Sequence, residues 1–172
     1  MSQLTLIALA HTVHVAAGVV WAGSAFLLAF VISPLAAQHA AEGAGQWAGR
    51  VARRAGPMMG VSALLTVVSG IYLFAVLHAH DDSSGALVLR AGALAAMLAL
   101  VTGAFVGRPA ARRLAALGQR AAIDAASSAA APLADVMALR RRATLSNRAA
   151  AVMLGVAVLA MALFRYASAL AS

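Results

Sequence analysis

Apolar residues run along this chain in four long blocks, separated by stretches where arginine, aspartate and histidine collect. The blocks lie near 5–33, 58–78, 87–107 and 149–170, and each reaches the roughly 20 residues that cross a hydrocarbon layer as a helix. The pattern predicts an all-α protein, an integral membrane four-helix bundle forming a single membrane domain over 1–172. Residues 110–123 and 133–147 are rich in Ala, Leu and Arg, all strong helix formers. The third and fourth helices are therefore expected to run on as a short antiparallel cytoplasmic extension, broken between Asp124 and Pro132. Pro109 is expected to kink the exit of the third helix, because proline removes a backbone donor. Residues 35–55 are expected to be partly helical, with Trp47 near the interface.

Composition sharpens this. The chain is 63% hydrophobic and 10% charged, where a water-soluble domain carries about 25% charged residues. With no cysteine, disulfides, iron–sulfur clusters and thiolate metal sites are excluded. Met1-Ser2-Gln3 lacks a basic leader, and the first block exceeds a signal-peptide core. It reads as a retained helix, the alternative being a signal cleaved near Ala36-Ala37.

All 13 basic residues are arginine, and the net charge is +8. They gather after the first block (Arg50, Arg53, Arg54) and after the third (Arg108, Arg112, Arg113, Arg120, Arg140, Arg141, Arg142, Arg148). The positive-inside rule accounts for them and places both loops in the cytoplasm. Both termini and the loop 79–89 then face outside, the periplasm if the host membrane is a bacterial inner membrane. No aromatic-interleaved basic patch points to nucleic acid. Gly56 with Gly60, and Gly103 with Gly107, fit the spacing that lets helices approach closely, and are read as packing.

The chemistry concentrates on the outer side. His11 and His14, three residues apart, share one face of the first helix. Gly18 and Trp21 continue the stripe, an imidazole followed by a gap and a large aromatic. Ionisable side chains inside a membrane helix are costly and usually functional. Histidine is the usual axial ligand of haem iron, and a flat macrocycle needs a gap such as Gly18 to lie against a helix. Arg90 and Arg165 stand where porphyrin carboxylates would find bidentate partners, although arginines at helix ends also snorkel to the interface. A copper ion is the competing ligand, with nitrogens from His11, His14, His78 or His80 and sulfur from Met97, Met153 or Met161. Methionine in an apolar helix is more often filler, and His39 and His80 read as solvated.

The stretch from His14 through Gly18, Trp21-Ala22-Gly23 to Pro34 resembles the first helix of CopD-type copper-resistance membrane domains, and is similar to that of HemJ-type protoporphyrinogen oxidases. Ser69-Gly70-Ile71-Tyr72-Leu73 resembles an element of their second helix, and Arg148 to Arg165-Tyr166 their last. The resemblance implies a four-helix membrane bundle with the family histidine at His14, a likeness to b-type haem proteins in the HemJ case. HemJ-type proteins carry a lysine in the third helix. Here the nearest basic position is Arg90, and arginine does not accept protons near neutral pH.

Three readings follow. The first is a haem b protein for electron transfer or oxidoreduction at the outer face, with His14 as one axial ligand and His11, His78 or a second subunit as the other. In it Gly18 makes room, Trp21 packs the ring, and Arg90 and Arg165 hold the propionates. Any enzymatic activity would be an oxidoreductase reaction, with a redox protein or a quinone as partner. The second is a copper-binding or copper-transport membrane protein using His14, His11 and His78. The third is an accessory subunit of a membrane redox complex. A homodimer is compatible with each. No soluble-enzyme fingerprint is present, and none of the five acidic residues falls inside a predicted span.

Overall fold

A backbone in hydrocarbon has no water to bond, so its N–H and C=O groups must pair within the segment. The computed structural model, which describes residues 2–39, 42–123 and 133–170, meets this requirement with helices. Four are long and apolar enough to cross a membrane, and the described residues contain no strand. The first helix runs from Gln3 to Gln38 and the second is Ala44–Leu77. The third begins at Ser84 and continues as far as Ile123, and the fourth is Leu133–Leu170. The chain is an all-α membrane protein.

Each helix outreaches its predicted apolar block. The 36 residues of the first make a rod of about 54 Å, against about 30 Å of hydrocarbon. The second begins before Trp47 and absorbs Pro57. The break between the first two helices is confined to a few residues around Gly43, whose φ of +77° is a left-handed conformation suited to glycine. The third and fourth helices do extend beyond the spans and pack against each other there, as expected. The predicted break at 124–132 lies outside the described residues.

The first and third helices each contain a π-helical segment, Leu27–Ile32 and Gly103–Gly107, which sequence reasoning did not anticipate. Both end just before an X-Pro pair, Ser33-Pro34 and Arg108-Pro109. In each, the residue before proline donates its N–H five residues back, Ser33 to Leu28 and Arg108 to Gly103. The expected kink at Pro109 thus takes the form of a widened turn. A proline has no N–H for the residue four back and its ring crowds that carbonyl, so the preceding turn widens. Ser33 Oγ also donates to the Leu28 carbonyl at 2.7 Å.

The first helix packs on the second and the third on the fourth; the two pairs meet where the fourth helix touches the first. The core is built largely of alanine, including Ala22, Ala25, Ala29, Ala63, Ala99 and Ala151, around Trp21 and Leu154. Small side chains let helix backbones approach closely, the usual source of cohesion in a bilayer. At Gly92 an added Cβ would lie 2.7 Å from Ala160 Cβ. Large apolar residues such as Leu64, Ile71, Leu94, Leu98 and Leu159 face outward, where lipid belongs. Of the spaced glycines, Gly60 faces the Arg108 guanidinium and Gly107 faces Ser146 Oγ, while Gly56 and Gly103 have no such neighbour.

Candidate functional site

The second helix carries three hydroxyls in an otherwise apolar stretch, Ser62, Thr66 and Ser69, all buried. Their spacing of four and three places them on one face, and that face meets the first helix. Each hydroxyl must find an acceptor. Thr66 Oγ1 donates to the Ser62 carbonyl at 2.7 Å, and Ser69 Oγ donates back to the Leu65 carbonyl. The main-chain oxygen of Thr66 then remains within reach of the first helix.

His14 reaches that oxygen. Its Nδ1 lies 2.8 Å from the Thr66 carbonyl and 3.4 Å from Ser69 Oγ. A carbonyl only accepts, so Nδ1 carries the proton and donates. In the tautomer that donates from Nδ1, Nε2 keeps its lone pair. Nε2 has no protein partner among the described residues, and it is not sealed inside the bundle. The ring edge rests on Gly70, where an added Cβ would come within 2.8 Å of Cε1 and 3.1 Å of Nδ1. The backbone thus fixes the ring from two sides and leaves one nitrogen available as a donor of electrons.

The other residues singled out from the sequence fall into separate places. His11, three residues before His14, is exposed on the outside of the bundle, although the two share a helix face. Gly18 is covered by the second helix, with Thr66 Cγ2 3.7 Å from where a Cβ would be. Trp21 is buried in the core at 6% exposure. Both serve the packing of the first helix on its neighbours.

His78, the residue capping the second helix, stands eight residues past Gly70, about 12 Å further along the helix axis. It belongs to a second cluster. Its Nδ1 lies 3.4 Å from Asp81 Oδ2, and its ring meets the edge of Phe164 at 5.8 Å between centroids. Arg90 donates to the Asp81 carbonyl at 2.9 Å and to Asp82 Oδ1 at 3.2 Å, and lies 6.0 Å from the Phe74 ring centre. Ser83 caps the third helix through Ala86 N–H, and Ser84 Oγ donates to the Ala167 carbonyl at 3.1 Å. Asp81 accepts the Ser83 N–H at 3.0 Å. That bond, with smaller contributions from the Ser83 hydroxyl and His78, holds its carboxyl below the ordinary carboxylate value. Arg90 is therefore engaged with the loop. Arg165 and His80 are exposed, and His39 pairs with Glu42 at 3.3 Å on the surface.

The described residues contain no group of three or more His, Asp or Glu side chains placed to hold a metal ion. No family model, curated protein or solved structure matches the chain.

Thr66 is the residue of this site that sequence reasoning passed over. The signal was present in the hydroxyl stripe at 62, 66 and 69, since hydroxyls grouped on one face of an apolar helix mark a polar seam. Ser69 and Gly70 entered only through a family resemblance, without a partner.

Proposed function

We propose that this chain is a membrane electron-transfer protein that holds a b-type haem through His14 Nε2. One observation carries the reading: the Nδ1–H of His14 is held by the Thr66 carbonyl, and Nε2 has no protein partner among the described residues. Ligating histidines commonly donate their other ring N–H to a backbone carbonyl, which fixes tautomer and orientation and raises ligand basicity. The haem would supply reversible one-electron chemistry, its potential tuned by ligand and burial. Thr66 and Ser69 would orient the imidazole, and Gly70 would leave room for its edge against the second helix.

Two imidazoles three residues apart on one helix stand side by side, so His11 is poorly placed to ligate across the ring from His14. Any second donor to the group would come from a second copy of the chain or from an exogenous ligand. With one imidazole held at this site, haem would be better suited than copper, which draws several donors from the protein. The arginine-rich end would face the cytoplasm, and electrons would enter at the opposite face.

The test is the absorption spectrum of the detergent-purified protein, oxidised and then dithionite-reduced, for the wild type, His14→Ala and His78→Ala. The expected result is a Soret band with a sharpened α-band on reduction, lost in His14→Ala and kept in His78→Ala. A featureless wild-type spectrum from haem-replete cells, or an unchanged His14→Ala spectrum, overturns the reading.

A further inference from the structure

At the arginine-rich end of the bundle, the extensions of the third and fourth helices border a half-open cavity of about 150 Å³. Phe105 and Val106, from the π-helical segment, form its wall with Pro109 and Leu139, and Arg113 and Arg142 bring guanidinium groups to it. Ser146 Oγ donates to the Thr102 carbonyl at 3.2 Å, which sets the antiparallel register of the two helices. The apolar wall lies toward the membrane spans. Arg113 lies four residues past Pro109, about 6 Å further toward water.

The charge here is one-sided. Neither Arg113 nor Arg142 forms an ion pair with any described residue. In the described parts of these two helices the one acidic residue is Asp135. It lies a turn beyond Leu139, outside the cavity, and is likewise unpaired among the described residues. A mostly polar cavity with two guanidinium groups, bordered on the membrane side by Phe105 and Val106 at the depth where a span leaves hydrocarbon, matches one kind of molecule. An anionic phospholipid places a phosphate at that depth and acyl chains below it. Arginine is suited to phosphate because its planar fork donates two parallel hydrogen bonds. Basic pockets between membrane helices bind anionic headgroups for the same reason.

We propose that this cavity binds the phosphate headgroup of an anionic phospholipid, held by Arg113 and Arg142, with its acyl chains running down past Phe105. The site is independent of His14, which lies in the other half of the bundle.

The test is native mass spectrometry of the full chain, titrated with phosphatidylglycerol and, separately, phosphatidylcholine. Arg113→Gln/Arg142→Gln is compared with Arg112→Gln/Arg141→Gln, which removes the same charge from the same helices outside the cavity. Circular dichroism confirms that both variants are helical. The wild type should retain phosphatidylglycerol in preference to phosphatidylcholine. Loss of the cavity pair should weaken retention by about 30-fold, from a roughly fivefold contribution per arginine near a membrane surface. The control pair should retain the lipid. Equal loss in both variants, or no preference for the anionic lipid, overturns the proposal. Displacement of the lipid by millimolar inorganic phosphate makes free phosphate the ligand and also overturns it.

Discussion

His14 and Gly70 touch across the seam of the first two helices, so closely that a methyl group at position 70 would sit 2.8 Å from the imidazole Cε1. The contact makes glycine a condition of the His14–Thr66 hydrogen bond, because the ring reaches the carbonyl with its Cε1–Nδ1 edge set against the second helix.

Gly70→Ala should therefore turn the ring away from Thr66. Alanine gains about 1 kcal/mol of helix propensity over glycine, whereas overpacking costs about 1–3 kcal/mol, so a net loss of about 1 kcal/mol is expected. The decisive comparison is a double-mutant cycle by thermal unfolding in detergent. With His14→Ala in place the clash disappears, and Gly70→Ala should become neutral or stabilising. An unchanged penalty in that background would mean that the methyl group strikes something other than the ring.

In a haem-loaded protein the same variant has a spectroscopic consequence. A ring released from the Thr66 carbonyl loses the partner that fixes its tautomer and raises its basicity. Gly70→Ala should shift the reduced α-band or lower the midpoint potential's reproducibility across preparations through mixed ligation, and lower haem retention by about 10–100-fold, as for lost outer partners of metal ligands. Val68→Ala, on the exposed side of the same helix, should leave both unchanged. Equal effects from the two variants would contradict the positioning role of Gly70.

The four spans were legible because sustained hydropathy is a one-dimensional signal, and a membrane imposes it on every crossing helix. Their full lengths were not: beyond the hydrocarbon, helices such as Arg108–Ile123 continue on propensity and packing. The π segments before Pro34 and Pro109 were missed because proline announces a local fault without stating whether the helix kinks or widens. Within the candidate site, His14 was legible as an imidazole in an apolar helix. Its partner was not, since a main-chain carbonyl 52 residues away has no signature in residue type. Helical spacing alone also failed to separate His11 from His14. Three residues leave the helix about 60° short of a full turn, enough to put one ring on the second helix and the other outside.

The third and fourth helices meet closely at Gly92, where a Cβ would lie 2.7 Å from Ala160 Cβ and 3.3 Å from the Ala157 carbonyl oxygen. Gly92→Ala should destabilise the bundle by about 1–3 kcal/mol. Ala160→Gly should restore part of the loss, by removing the methyl contact while leaving the carbonyl. Thermal unfolding of the single and double variants in one detergent measures this. Additive losses would show that the two residues do not face each other.

Asp81 supplies a pH dependence whose sign is fixed by its surroundings. The Ser83 N–H, then the Ser83 hydroxyl and His78, stabilise its charged form, so its folded-state value lies below the ordinary 3.8. A carboxyl depressed on folding contributes stability above its unfolded value and loses it as pH falls through the folded one. Asp81 should thus hold the turn between the second and third helices unchanged from pH 7 to pH 5, and release it only below the ordinary carboxylate range. Hydrogen exchange of the Ser83 amide, which Asp81 accepts at 3.0 Å, reads this directly. Once intrinsic exchange rates are corrected for pH, protection should stay flat from pH 7 to pH 5 and be diminished at every pH in Asp81→Asn, because an amide oxygen is the weaker acceptor. Protection that fell between pH 7 and pH 5 in the wild type would assign the turn to a group other than Asp81.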